Sequence, residues 1–197
     1  MLKECKRAPR NGHSLGKART PAQALSRLLV RPCLGSAEKG KLIAGPVVIR
    51  CALGRSGIRR TKREGDGATP AGTHKVTQGY FRQDRLNRPR SNILMIPIGK
   101  SFGWCDDSAS AAYNRPVRRP FRGGHEALWR EDALYDTLLV MDYNLAPALR
   151  GRGSAIFLHL ATAGFEATAG CVAIAASDMR RLLPRIRARC RLDVSGF

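Results

Sequence analysis

Helical patterning is confined to one short stretch of this chain, and that restricts the fold more than any other feature. Only Ser177–Leu183 carries apolar residues at helical spacing, with Met179, Leu182 and Leu183 on one face, before Pro184 stops it. The expected helix is capped by Ser177, has Asp178 in its first turn, and is followed by a second turn reaching Arg189. Elsewhere, apolar β-prone runs alternate with turn-forming clusters. These runs are Leu25–Arg31, Leu42–Ala52, Thr73–Phe81, Ile93–Ile98, Leu134–Tyr143, Ser154–Leu160, Cys171–Ile174 and Arg191–Val194. Gly35–Gly40 reads as the hairpin connection between the first two. Many short strands and so little helix predict a mainly β domain of sandwich or open-barrel type.

Two of these runs carry a chemical pair. Ser154–Leu160 delivers His159 at its end, and after eleven intervening residues Cys171 opens the next run directly after Gly170. The connection between them has loop chemistry, with Gly164 and Gly170 near its two ends, and its length lets the chain fold back and bring His159 beside Cys171. A thiol needs such a neighbour, because the thiolate is the nucleophile and a free cysteine near neutral pH is mostly protonated. Gly170 removes a side chain where a carbonyl must approach, and the backbone N–H groups of Gly170 and Val172 are candidate oxyanion donors. The plainer reading makes Cys171 a small buried hydrophobe and His159 a satisfied core group. Spacing alone leaves both readings open.

The segment between the fourth and fifth runs is polar and aromatic: Phe102–Asp107, Ala112–Pro116, then His125, Glu126, Trp129 and Arg130. Aromatic faces beside Asn, Arg and Asp suit a substrate-binding lobe, with Trp104, Tyr113, Asn114, Arg115, His125, Trp129 and, from the nucleophile loop, Thr168 as candidate contacts. The alternative is an ordered loop whose rings pack on the sheet. Cys105, Asp106, Asp107 and His125 lack the regular spacing of a metal site, so no metal is expected. The long Gly-rich, charged loop Leu53–His74 lacks the Gly-Lys-Ser/Thr ending of a phosphate loop, and its Thr69-Pro70-Ala71-Gly72 turn reads as scaffold.

Charge and cysteine usage narrow the partners. A net charge of +20 over 197 residues favours polyanions: nucleic acid, an anionic membrane surface or an acidic wall polymer. Basic residues spread without aromatic interleaving, and no nucleic-acid-binding signature supports the reading of a nucleic-acid-binding protein with a structural cysteine. Six scattered cysteines with no Cys-x-x-Cys argue against a finger-type zinc site, and a chain this long needs no disulfide framework. Residues 1–24 form a Lys/Arg-rich arm broken by prolines and glycines, with the composition of disorder; residues 25–197 form the domain. The arm has no apolar core of a signal peptide, and a solvated, dispensable extension, such as a start placed too far upstream would leave, is preferred over nucleic-acid or envelope binding. No stretch reaches membrane-spanning length.

His159 with Thr168-Ala169-Gly170-Cys171 resembles the signature of the L,D-transpeptidase catalytic domain, the YkuD-type family of peptidoglycan cross-linking enzymes. Its members carry a histidine at a strand end and later a Ser/Thr-x-Gly-Cys segment. Thr69–Gly72 matches a Thr-Pro-x-Gly turn of the family. Trp104-Cys105-Asp106-Asp107 and Tyr113-Asn114-Arg115-Pro116 are similar to a subgroup of short bacterial members. The resemblance runs from about Leu25 to Val194. It departs at Ala169 and Ala173, where the family commonly has a histidine and an Arg or Asn, and in a short His-to-Cys spacing.

The resemblance implies a β-sandwich of mixed sheets with one or two short helices, and a cysteine at the mouth of a cleft. It implies that Cys171, activated by His159, forms a thioester with a peptidoglycan stem tetrapeptide and passes the acyl group to an amine. Carboxypeptidase or endopeptidase activity by the same pair is the alternative. It implies no cofactor, and action in the cell envelope; with no export signal visible in the sequence, a cytoplasmic site of action stays open.

Overall fold

The computed structural model describes residues 24–196, so the expected basic arm lies, but for Ala24, outside the described residues. The strands are β1 (Leu25–Cys33), β2 (Ser36–Ala44), β3 (Val47–Ala52), β4 (Ile58–Arg59), β5 (Thr69–Pro70), β6 (Gly72–Phe81) and β7 (Met95–Pro97). They continue with β8 (Phe102–Cys105), β9 (Pro116–Arg118), β10 (His125–Ala127), β11 (Thr137–Met141), β12 (Phe157–Leu160), β13 (Val172–Ile174) and β14 (Ile186–Val194). One helix, α1 (Ala176–Leu182), precedes β14. The molecule is mainly β, as the sequence pattern predicts.

Nine strands make one mixed sheet in the order β11-β12-β13-β3-β2-β1-β14-β6-β7, and a further β6–β11 pairing closes it on itself. The pairs β1–β14, β12–β13 and β6–β7 are parallel. Strands β10, β8 and β9 form a separate three-stranded antiparallel lobe over the segment read from sequence as polar-aromatic.

Local chemistry moves several boundaries. The run Leu42–Ala52 is split by a turn at Gly45-Pro46, where Gly45 takes φ +63°. The first hairpin turns at Leu34-Gly35, so residues 36–40 are strand rather than connection. Two residues with a glycine at positive φ suffice for each hairpin. Strand β12 begins only at Phe157 because Ala155 adopts a left-handed φ of 53°. Helix α1 is preceded by Ala175 with no side-chain cap, leaving Ser177 inside the first turn. Pro184 sits in a single 3-10 turn, Leu183–Arg185, and β14 starts at once, so the second helical turn to Arg189 is replaced by strand.

Two apolar cores meet at β11 and β12. Inward-facing Leu28, Leu42, Val76, Leu139, Leu158 and Ile174 form the main core, with Met179 and Leu182 of α1 packed onto it. On the other side, Tyr80, Trp104, Leu128, Tyr135, Leu138 and Phe157 form a second core beneath the lobe. This explains why Thr137–Met141 is buried at every position: alternate residues serve different cores. The same alternation puts Leu158 and Leu160 into the main core, and turns Phe157 and His159 toward the lobe. On β13 it turns Val172 and Ile174 inward and leaves Cys171 and Ala173 on the lobe side.

Candidate active site

Parallel pairing of β12 with β13 sets Leu158 opposite Val172 and His159 opposite Ala173. Cys171 therefore lies on the same face as His159, one strand across and two residues back. Strand geometry makes that a Cα separation of about 8 Å. Both side chains line one cavity of about 390 Å³.

The Cys171 segment is held by hydroxyls. Thr168 Oγ1 accepts the Gly170 N–H at 3.1 Å and donates to the Cys171 carbonyl at 2.7 Å. Buried Thr69, the first residue of the Thr-Pro-x-Gly turn, accepts the Gly54 N–H at 2.8 Å and reaches the same carbonyl at 3.5 Å. The scaffold part read for that turn thus falls against the nucleophile. The Gly170 N–H is already committed, while Gly170 itself sits at φ +142°, a conformation glycine tolerates.

Sequence reasoning expects the thiol to lie open beside the imidazole; in the structure it is the floor of the cavity and only 7 % exposed. Cys171 Sγ accepts the Phe157 N–H at 3.3 Å and donates to the Ala155 carbonyl at 3.2 Å. The strained backbone of Ala155 aims that carbonyl at the sulfur. Burial, with the Glu126 carboxylate adding to it, pushes the thiol up to about 12; the Phe157 N–H and the Lys62 charge act against it.

His159 is held on two sides. Its Nδ1 lies 2.8 Å from the Leu160 carbonyl, and the Tyr135 ring stands edge-on to the imidazole with centroids 5.2 Å apart. A carbonyl only accepts, so Nδ1 carries the proton against Leu160, and the Leu134 carbonyl also meets the ring. Burial lowers the imidazole to about 4, against the pull of the Leu160 carbonyl. The resting pair is a neutral thiol and a neutral imidazole, and a proton moves between them only when something compensates the charge.

The remaining sequence candidates divide. Thr168 lines the cavity; Trp104, Tyr113, Asn114, Arg115, His125 and Trp129 do not. Trp104 and Asn114 are buried because their polar atoms are used internally. Trp104 Nε1 donates to Asn114 Oδ1 at 2.9 Å, and Asn114 Oδ1 also accepts the Ala155 N–H at 3.1 Å. Asn114 thereby fixes the residue whose carbonyl receives the thiol. Tyr113 donates to Glu64 and takes the Gly153 N–H at 3.0 Å. Arg115 points to solvent, His125 bonds the Gly123 carbonyl at 2.9 Å, and Trp129 lies under the Arg82 guanidinium, 3.7 Å from its centroid.

In their place the cavity wall contains residues that sequence reading passes over. The loop after β3 supplies Arg55, Lys62 and Glu64, and the lobe supplies Asp106, Glu126 and Arg130. Tyr135 donates to Glu126 at 2.9 Å. Burial raises the Glu126 and Asp106 carboxyls. The Ser154 hydroxyl, in the same wall, is buried without a hydrogen-bond partner among the described residues. Nothing in the charged run Arg59–Asp66 marks Lys62 out from its arginine neighbours; only the fold turns it inward. Among the described residues, no group of three or more His, Cys, Asp and Glu side chains is gathered to hold a metal ion. The five cysteines described are all free.

The sequence profile of YkuD, the L,D-transpeptidase catalytic domain, matches residues 36–194. The chain belongs to the YkuD family. The match takes in β2 through β14, and with them both strands that carry the pair. No curated protein matches the chain. Among solved structures it is similar to the crystal structure of L,D-transpeptidase 1 of Mycobacterium tuberculosis, at 8% identity and a TM-score of 0.36. That likeness covers 87% of this chain and 62% of the other, so this YkuD domain spans less than two thirds of that structure.

Proposed function

We propose that the protein is a cysteine-dependent acyl transferase acting on peptidoglycan stem peptides, with Cys171 as nucleophile and His159 as its base. The observation that carries this reading is the juxtaposition of thiol and imidazole in one cavity by the parallel β12–β13 pair. Cys171 Sγ attacks the carbonyl carbon preceding the terminal D-alanine of a tetrapeptide. The S–C bond forms, the C–N bond breaks, and the thiol proton passes through His159 Nε2 to the departing amine of D-alanine. An amine of a neighbouring stem then attacks the thioester. A C–N bond forms, the C–S bond breaks, and the amine's proton returns by way of His159 to sulfur. With the Gly170 N–H engaged by Thr168, and Val172 fully buried in the β12–β13 ladder outside the cavity wall, neither expected backbone donor is free, and the cavity's cations are left to face the oxyanion.

No helix among the described residues is long and apolar enough to cross a membrane. Stem peptides place the work of such an enzyme at the cell wall, where a net charge of +20 also favours contact with acidic polymer. Product analysis tests the reading. Purified tetrapeptide with an acceptor stem should release D-alanine and yield a cross-linked dimer. Release of D-alanine without dimer makes the enzyme a carboxypeptidase using the same pair. No release from any stem peptide overturns the substrate assignment.

A further inference from the structure

Lys62 lines the active-site cavity, yet it is only 3 % exposed, as buried as a core leucine. Its Nζ lies 2.7 Å from Asp66 Oδ1 and 3.4 Å from the Arg63 carbonyl, which leaves donor capacity on a three-proton ammonium. Its position is shaped by two missing side chains. A Cβ on Gly153 would stand 2.7 Å from Lys62 Cε, and one on Gly170 would stand 3.3 Å from Nζ. Both glycines also have positive φ, +99° and +142°. The backbone on either side has been cleared so that a cation rests against the residue directly preceding Cys171.

The thiol's surroundings call for that cation. The side chains flanking it along the chain at one residue's remove, Ala169 and Ala173, carry no charge. The Gly170 N–H is spent on Thr168. Burial and the Glu126 carboxylate oppose the thiolate, and the Lys62 charge acts in its favour beside the Phe157 N–H. A lysine needed only to staple the loop to Asp66 has no reason to lie against the nucleophile segment, where it requires glycine at two positions.

We propose that Lys62 is the electrostatic partner of the nucleophile: its ammonium stabilises the negative charge on Cys171 sulfur as the proton leaves for His159. Lys62 itself neither gives nor takes a proton, and no bond to it forms or breaks. The inference rests on Cys171 being the reactive thiol, but not on the identity of the substrate.

The test measures the rate at which iodoacetamide alkylates Cys171 between pH 7 and 10, read by peptide mapping, with half-exposed Cys33 as internal standard. Two variants are compared with the wild type. Lys62→Met removes the charge, and Lys62→Met/Asp66→Leu removes the ion pair whole, so that no unpaired, partly buried carboxylate confuses the result. Loss of a unit charge at this range lowers the thiolate fraction by roughly tenfold or more. The expected result is therefore a Cys171 rate lower by about that factor in Lys62→Met and lower by a smaller factor in the double variant, which loses the Asp66 carboxylate with the ammonium, with the Cys33 rate unchanged. Cys171 rates equal to the wild type's in the folded double variant overturn the inference and leave Lys62 a staple of its loop. A tenfold loss of alkylation in a protein that turns over no stem peptide upholds the role of Lys62 and removes the substrate assignment instead.

Discussion

Cys51 and Cys171 occupy neighbouring strands of one sheet and are equally poor acids, yet they belong to different chemistry. Cys51 on β3 stands beside Ile174 of β13, fully buried in the main core. Burial, with Cys33 adding to it, pushes its thiol up to about 12, the same value as for Cys171. The difference lies in what each sulfur faces. Cys51 looks into packed side chains; a Cβ added at Gly40 would already stand 3.0 Å from its sulfur. Cys171 faces a cavity that also holds an imidazole, an ammonium and an unpartnered hydroxyl. A displaced acidity marks burial; a cavity with a base and a cation marks a site.

Substitution breaks the comparison most sharply. Cys171→Ala should lower D-alanine release by about a thousandfold or more, since no other group supplies the nucleophile. Cys51→Ala should cost about 1 kcal/mol of stability and leave turnover by the folded protein unchanged. A urea melt and a release assay on both variants check the pair. Equal effects on turnover would erase the distinction.

The base is next in size. His159→Ala should slow acyl-enzyme formation by roughly a hundred- to ten-thousand-fold, with the surviving rate climbing with pH as the thiol ionises unaided. Ala169 sharpens this test, because it offers no second base. A variant that melts earlier but acylates at the wild-type rate would make His159 a core histidine, the counterpart of Cys51.

Acid should separate the two regions more gently. His159 sits at about 4 in the fold, below the ordinary histidine value near 6.5, so the unfolded chain binds its proton first. Its contribution is present above pH 6.5 and is lost as pH falls through 4. Buried His74 is lowered too, burial outweighing the Pro70 carbonyl, and adds in the same direction. The melting temperature should therefore fall between pH 6.5 and 4, and His159→Gln should flatten part of that fall while leaving the share of His74. An unchanged slope would mean that His159 is not buried as a neutral ring.

How far the sequence reached follows from the same contrast. Apolar β-prone runs between turn-forming clusters show the strands, and Thr168–Cys171 with His159 shows the pair, because local patterning controls both. Lys62 and Tyr135 stayed hidden. One lies in a run of like charges and the other inside an apolar run, and only long-range packing turns them toward the thiol. Trp104 and Asn114 misled for the converse reason. Their residue types suit a ligand, but they hydrogen-bond each other and the Ala155 backbone. The turn at Gly45-Pro46 has turn-forming residues, but the β-prone residues on both sides mask it.

The central claim is that the acyl group is carried on Cys171. Wild-type protein incubated with a stem tetrapeptide, quenched in acid and weighed intact, should gain the mass of the donor less D-alanine. Peptide mapping should place that gain on Cys171 and leave Cys51 unmodified. Turnover with the adduct on another cysteine, or undiminished turnover in Cys171→Ala, would contradict the account.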